Sequence, residues 1–191
     1  MKMDLIADSK NDEFYTPVFA IIPLIRHIRT FSRRLDHNVR IWCPFDTKES
    51  YYVKIFEKEG FEVINTHISE GNDFFELIND KNIVDNIDII ISNPPYSKKT
   101  EILEELFNLN KPFAMLISVA GLFDSKRRWA LFSKNEFEMM FFSKRCSFLK
   151  SYQDKDRLLN PPFTSYYICH DFLEKPRVFE KIDKKNIHLQ T

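Results

Sequence analysis

Short apolar runs alternate along the chain with longer stretches in which apolar side chains return every three or four positions. Apolar runs bounded by turn residues read as buried strands, and the longer spacing reads as helices with one buried face. Residues 38–43, 61–66, 87–92, 113–119, 137–142 and 163–169 predict six strands. The run over 87–92 is almost uniformly apolar, as a central parallel strand covered on both faces should be. Helices are predicted over 18–31, behind Pro17, and over 50–59, where Tyr52, Val53 and Phe56 share a side and Gly60 is the stop. Thr100 opens a third, carrying Ile102, Leu103, Leu106 and Leu109 on one face, and Pro112 follows it. Strands separated by helices imply right-handed crossovers, hence an α/β fold with a doubly wound, mostly parallel sheet.

Composition narrows the class. A chain of 191 residues with 43% hydrophobic and 29% charged residues can bury one good core. We expect a single domain over 1–175 and a charged tail over 176–191. Only three glycines are present, Gly60, Gly71 and Gly121, too few for a glycine-rich phosphate loop. Cys43, Cys146 and Cys169 form no paired motif, and the five histidines have no metal spacing, so neither a disulfide framework nor a metal site is expected. No run approaches the ~20 apolar residues of a membrane span, and Met1-Lys2-Met3-Asp4 opens no signal peptide, so the expected location is the cytoplasm.

Net charge is zero, which argues against holding nucleic acid by bulk electrostatics alone. The balance is uneven, however: residues 124–157 hold nine basic against five acidic side chains. Trp129, Phe132, Phe148 and Tyr152 are interleaved with them, a combination that suits phosphate contacts and base stacking. Lys126, Arg127 and Arg128 are the candidate phosphate contacts within a target-recognition segment over 120–160; a solvated helix face would have the same composition.

Two copies of Asn-Pro-Pro-aromatic occur, Asn93-Pro94-Pro95-Tyr96 and Asn160-Pro161-Pro162-Phe163. The first follows a predicted parallel strand, where open sheets bind ligands. Two prolines stiffen the exit, Pro94 keeps Asn93 extended, and neither proline has an N–H. Such a turn presents acceptors, the Asn93 oxygen and the Pro94 carbonyl, to the hydrogens of a planar NH₂ group. Tyr96 offers a ring face for stacking, and Ser97 after it is a candidate substrate contact, although Ser97-Lys98-Lys99 also reads as a solvated helix start. The plain alternative is a rigid turn over a buried tyrosine. The second copy precedes its strand and reads as an entry loop, although Phe163 can still face the same cleft.

The first copy resembles the catalytic motif of S-adenosylmethionine-dependent amino-methyltransferases, which act on N6 of adenine or N4 of cytosine. Further segments match that family in order, over roughly 12–169. Residues 12–17, with Phe14, Tyr15, Thr16 and Pro17, resemble the segment that closes over the methionine end of the cofactor. Pro44-Phe45-Asp46 stands where the loop after the first strand meets the cofactor, with Asp46 near its ammonium group. Asp73 and Phe74 look like the pair at the cofactor adenine, though Asp73 is equally suited to cap a helix. The combination is most similar to the small adenine-N6 DNA methyltransferases of bacteriophages and prophages. The resemblance implies a Rossmann-like class I methyltransferase sheet with a late antiparallel strand. It also implies S-adenosyl-L-methionine as cofactor, DNA as partner with RNA as the alternative, and base flipping. Asn93, Pro94, Pro95 and Tyr96 would be catalytic, and Tyr96, Ser97 and Phe163 would meet the base.

Two departures stand out. The loop after the first strand lacks glycine, and the second strand ends Ile64-Asn65-Thr66-His67 instead of in an acidic residue; Glu70 is the nearest carboxylate, so the ribose role stays open, and His67 is a cofactor-side candidate. They keep other readings open: a methyltransferase for an RNA base or a protein glutamine amide, or a non-catalytic phage-encoded binding protein on the same fold.

Overall fold

The computed structural model describes residues 14–153 and 158–189. Asp12 and Glu13 of the N-terminal motif, and Lys155 and Arg157 of the basic segment, lie outside them.

The predicted strands occur in order as β1 (Arg40–Cys43), β2 (Glu62–Asn65), β3 (Ile89–Ser92), β4 (Phe113–Ser118), β5 (Glu138–Phe142) and β8 (Ser165–His170). A short hairpin of β6 (Phe148–Leu149) and β7 (Leu158–Leu159) precedes β8, and β9 (Arg177–Glu180) follows it. Seven strands form one sheet in the order β2-β1-β3-β4-β8-β5-β9. All neighbours are parallel except β8, which runs against both β4 and β5. The fold is therefore the α/β class expected, a Rossmann-like doubly wound sheet with one late antiparallel strand.

Helices cover both faces. On one side lie α1 (Val18–Ser32) and α2 (Tyr51–Lys58), burying Leu24, Ile28, Tyr52 and Phe56 against Ile41, Ile89, Ile91 and Leu116. The other face carries α3 (Phe74–Leu77), α5 (Lys99–Leu109) and α6 (Lys126–Lys134), with the short α4 (Lys81–Val84) between the first two. There Trp42, Ile90, Phe113 and Ile117 meet Phe74, Leu103, Leu106 and Phe132. Alternation along each strand divides the two cores, so Ile41 and Cys43 face α1 and α2 while Trp42 faces α3. Leu24 and Ile28 are fully buried, and truncating either to alanine costs about 2–5 kcal/mol.

Local chemistry sets the element ends. Ser50 caps α2 by accepting from the Tyr52 N–H at 3.2 Å, and Gly60 after it adopts φ +86°, a conformation that disfavours any side chain. Thr100 is not a cap: the chain turns through Tyr96–Lys98 first, and α5 begins at Lys99 with Thr100 buried in its first turn.

The segment expected as a charged tail contributes to the sheet instead. β9 pairs with β5, and the buried Glu180 accepts from Arg26 and lies 2.7 Å from His27 Nε2, both on α1. An edge strand needs only one apolar side, so its exposed charges hid it in the sequence. Among the described residues no helix is long and apolar enough to cross a membrane.

Candidate active site

Parallel strands pointing one way put the ends of β1, β3, β4, β5 and β9 on one edge, and the reversal of β8 brings its start there too. A cavity of about 630 Å³ opens at this edge. Its wall includes Phe14, Tyr15, Thr16, Pro44, Phe45, Asp46, Asp73, Phe74, Asn93 and Pro95. Ten candidate residues from four separate stretches of the chain thus meet in one place.

Asn93 leaves β3 directly into the cavity. Its Nδ2 donates to the Phe14 carbonyl at 2.6 Å, while Oδ1 is buried without any hydrogen-bond partner. Exchanging the two atoms would set oxygen against oxygen, so the Phe14 carbonyl fixes which way the amide points. An orphaned buried acceptor costs about 1–3 kcal/mol, and a donor arriving from the cavity recovers it. Pro94 is buried and is not among the residues of the cavity wall, which Asn93 and Pro95 line on either side of it. Successive residues of an extended backbone face opposite ways, which turns Asn93 and Pro95 inward and Pro94 outward.

Tyr96 also departs from expectation. Its ring is stacked on Phe14, centroids 5.5 Å and planes 28° apart, with Phe163 edge-on at 5.3 Å and Phe148 at 6.3 Å. Its hydroxyl lies 3.1 Å from Ser165 Oγ at the start of β8. Phe14 touches Phe163 as well, at 5.7 Å, so it stands where a planar substrate ring between Tyr96 and Phe163 was expected. Open aromatic faces in a cleft leave apolar area in water, and pairing them buries it. The backbone holds Phe14 in place, since the Leu149 N–H donates to the Tyr15 carbonyl at 2.7 Å.

Asp46 is buried at the mouth of α2. It accepts from Ser50 Oγ at 2.5 Å and from Ser92 Oγ, on the residue before Asn93. Burial pushes its carboxyl up to about 6, against the opposing pull of the two hydroxyls and of His67. The backbone around it is tight without glycine: Asp46 N–H donates to the Thr66 carbonyl and Thr66 N–H to the Cys43 carbonyl, both at 3.1 Å.

Asp73 does both things asked of it. Oδ1 caps α3 by accepting from the Phe75 N–H at 2.9 Å, and the residue lies on the cavity wall. Phe45, Phe74 and Phe75 form the apolar end of the cavity, with Phe45 and Phe74 at 4.9 Å and Phe75 37% exposed at the rim. His67, not Glu70, faces the cavity beyond β2. Its Nδ1 accepts from the Ser69 N–H at 3.1 Å, which leaves Nε2 as the protonated nitrogen of the neutral ring.

The remaining candidates are elsewhere. Pro17 is the N-cap of α1, and Ser97 is exposed while its neighbour Lys98 lines the cavity. Arg127 is engaged by Glu104 on α5, its Nε donating at 2.6 Å, and Arg128 donates to the Gly121 carbonyl at 2.9 Å. Arg127 thus ties α6 to α5 and Arg128 braces the turn between β4 and α6, in place of offering free charge; Lys126 is exposed. Asn160 of the second Asn-Pro-Pro accepts from Ser147 Oγ at 2.6 Å and ties the β6–β7 hairpin.

Ser50, Ser92 and Lys98 also serve the site. Ser92 had a signal, a polar end to an otherwise apolar strand. Tyr152, expected among the stacking aromatics of the basic segment, instead reaches Ser50 Oγ at 3.2 Å and Tyr15 at 4.8 Å from a loop distant in sequence. Among the described residues no three His, Cys, Asp or Glu side chains are grouped to hold a metal ion.

No protein-family model matches the chain, and no curated protein matches it. A solved structure similar to it is a modification subunit, assigned to a type I restriction enzyme, from Vibrio vulnificus YJ016, at 11% identity and a TM-score of 0.49. The match covers 92% of this chain and 48% of that one, so the chain spans about half that subunit's length.

Proposed function

We propose that the protein transfers the methyl group of S-adenosyl-L-methionine to N6 of adenine in DNA, with the target base flipped into the pocket. The observation that carries this reading is Asn93 Oδ1, a buried acceptor with no partner beside a cavity large enough for a nucleoside. The residues present suit that cofactor. Phe45, Phe74 and Phe75 offer an apolar slot for a purine, Asp73 an acceptor for its amine, and Asp46 a carboxylate for a cationic group. When bound, the cofactor supplies an electrophilic methyl group on a sulfonium.

In this reading Asn93 Oδ1 accepts a hydrogen of the target amine and draws its lone pair away from the purine ring. The Phe14 carbonyl keeps Oδ1 aimed, so alignment is built before the base arrives. Water is excluded by the same aromatic rings that frame the slot, which strengthens each polar contact inside. Base entry requires the Phe14 ring to leave the face of Tyr96, so Tyr96 and Phe163 can hold the purine between them.

Asn93→Ala is expected to abolish transfer of radioactive methyl from the cofactor to DNA while calorimetry records cofactor affinity within about threefold of the parent. Transfer retained by the variant would sink the assignment. A second reading, a binding protein on this fold that transfers nothing, is favoured by the cover that Phe14 places over Tyr96. Calorimetric titration of the parent protein with S-adenosyl-L-methionine separates the two, since heat of binding belongs only to the first.

A further inference from the structure

The outer end of the sheet carries a feature that the methyl-transfer site does not use. Phe141 of β5 and Phe179 of β9 are register partners whose rings stack, centroids 5.0 Å and planes 17° apart. Tyr166 of β8 stands against Phe141 at 5.0 Å. β9 is the edge of the sheet, so the row ends at Phe179, which is 75% exposed and has no other ring contact among the described residues. An aromatic pair with one face left in water is a stack that a further planar ring can extend.

Cations outnumber acids around that face, where Glu174 is the carboxylate that shares a groove with Arg177 and Phe179. Alternation along β9 puts Arg177, Phe179 and Lys181 on one side, all exposed, and Val178 and the buried Glu180 on the other. Lys144 and Arg145 follow β5 and are exposed too; the Ser143 N–H donates to the Glu180 carbonyl at 2.8 Å and ties their turn to the end of β9. None of these four cations forms an ion pair among the described residues. The partner that fits is therefore anionic and carries planar apolar rings. Duplex bases keep their faces inside the helix, so only an unpaired strand presents a ring to Phe179.

The place is apt as well. Lys181 lies at the sheet edge that holds Asn93, four strand spacings or roughly 19 Å from β3, and Lys144 and Arg145, after β5, lie three spacings or roughly 14 Å away. We infer that the Phe141–Phe179 stack and its flanking cations bind a single-stranded segment of nucleic acid, the strand that runs on from the target base. This names the accompanying substrate strand and in that respect rests on the methyl-transfer reading. The surface itself needs no methyl transfer to be tested.

Fluorescence anisotropy with a labelled single-stranded 12-nucleotide DNA and its duplex, without cofactor, tests the inference. The parent protein is expected to bind the single strand more tightly than the duplex. Phe179→Ala, an exposed position, should weaken single-strand binding by roughly five- to a hundredfold. Arg177→Ala with Lys181→Ala should lower the slope of log affinity against log salt by about 1.4, two phosphates released. Circular dichroism establishes that each variant is folded. Equal affinity of Phe179→Ala and parent, or a loss of self-association in Phe179→Ala with strand binding unchanged, would overturn the inference. Phe179-dependent binding by a protein that transfers no methyl group would uphold this surface and remove the enzymatic reading instead.

Discussion

Asp46 is the residue on which stability and site chemistry pull in opposite directions. Burial holds its acid form until about pH 6, against 3.8 for the free side chain. The protonated carboxyl therefore favours the folded state, fully below about pH 4, and that contribution is lost as pH rises through about 6. Asp46→Asn keeps the neutral shape and can still bond both serine hydroxyls, so it should stabilise the protein above pH 6 by up to about 3 kcal/mol. Thermal unfolding at pH 4 to 8 checks this: the variant's curve should be flatter than the parent's. A cationic cofactor favours the ionised carboxylate, so its affinity in the parent should climb through pH 6 and in the variant should not. Asn93 was legible in the sequence because an apolar strand, two prolines and an amide stand together. Its partner was not, because the Phe14 carbonyl is 79 residues away and a backbone atom has no signature.

Elements show the same division between local and distant causes. The six predicted strands rest on apolar runs and occur in that order, because burial on both faces of a sheet demands such runs. β9 and α6 were passed over because both are mostly polar: β9 buries one side only, and Phe132 is the buried side chain of α6. The basic run on α6 was legible as charge but not as structure. Arg127 is more than half exposed in its pair with Glu104, so Arg127→Ala should leave stability nearly unchanged and DNA affinity unchanged. Arg128→Ala should cost about 1–3 kcal/mol, since it frees the Gly121 carbonyl at a left-handed turn (φ +64°) and the Thr100 hydroxyl. Lys126→Ala should alter DNA affinity alone. Urea unfolding beside anisotropy resolves the three, and a loss of DNA affinity in Arg127→Ala equal to that in Lys126→Ala would contradict the assignment.

At the scale of the whole molecule, the chain gathers one site from both cores. α1 and α2 bring Tyr15, Thr16 and Ser50, α3 brings Phe74, and the hairpin before β8 closes the aromatic frame around Phe14. The placement of β8 between β4 and β5 has a consequence for how the molecule comes apart. β5 and β9 join the rest of the sheet only through β8, although β5 precedes it in the chain. Any opening that releases β8 from β4 frees all three strands, while β5 and β9 can also peel away alone. Native-state hydrogen exchange should therefore rank the amides of β5 and β9 no slower than those of β8, with β1, β3 and β4 the slowest. The half of the edge that bears Asn93 would stay ordered through openings that dissolve the half bearing Phe179.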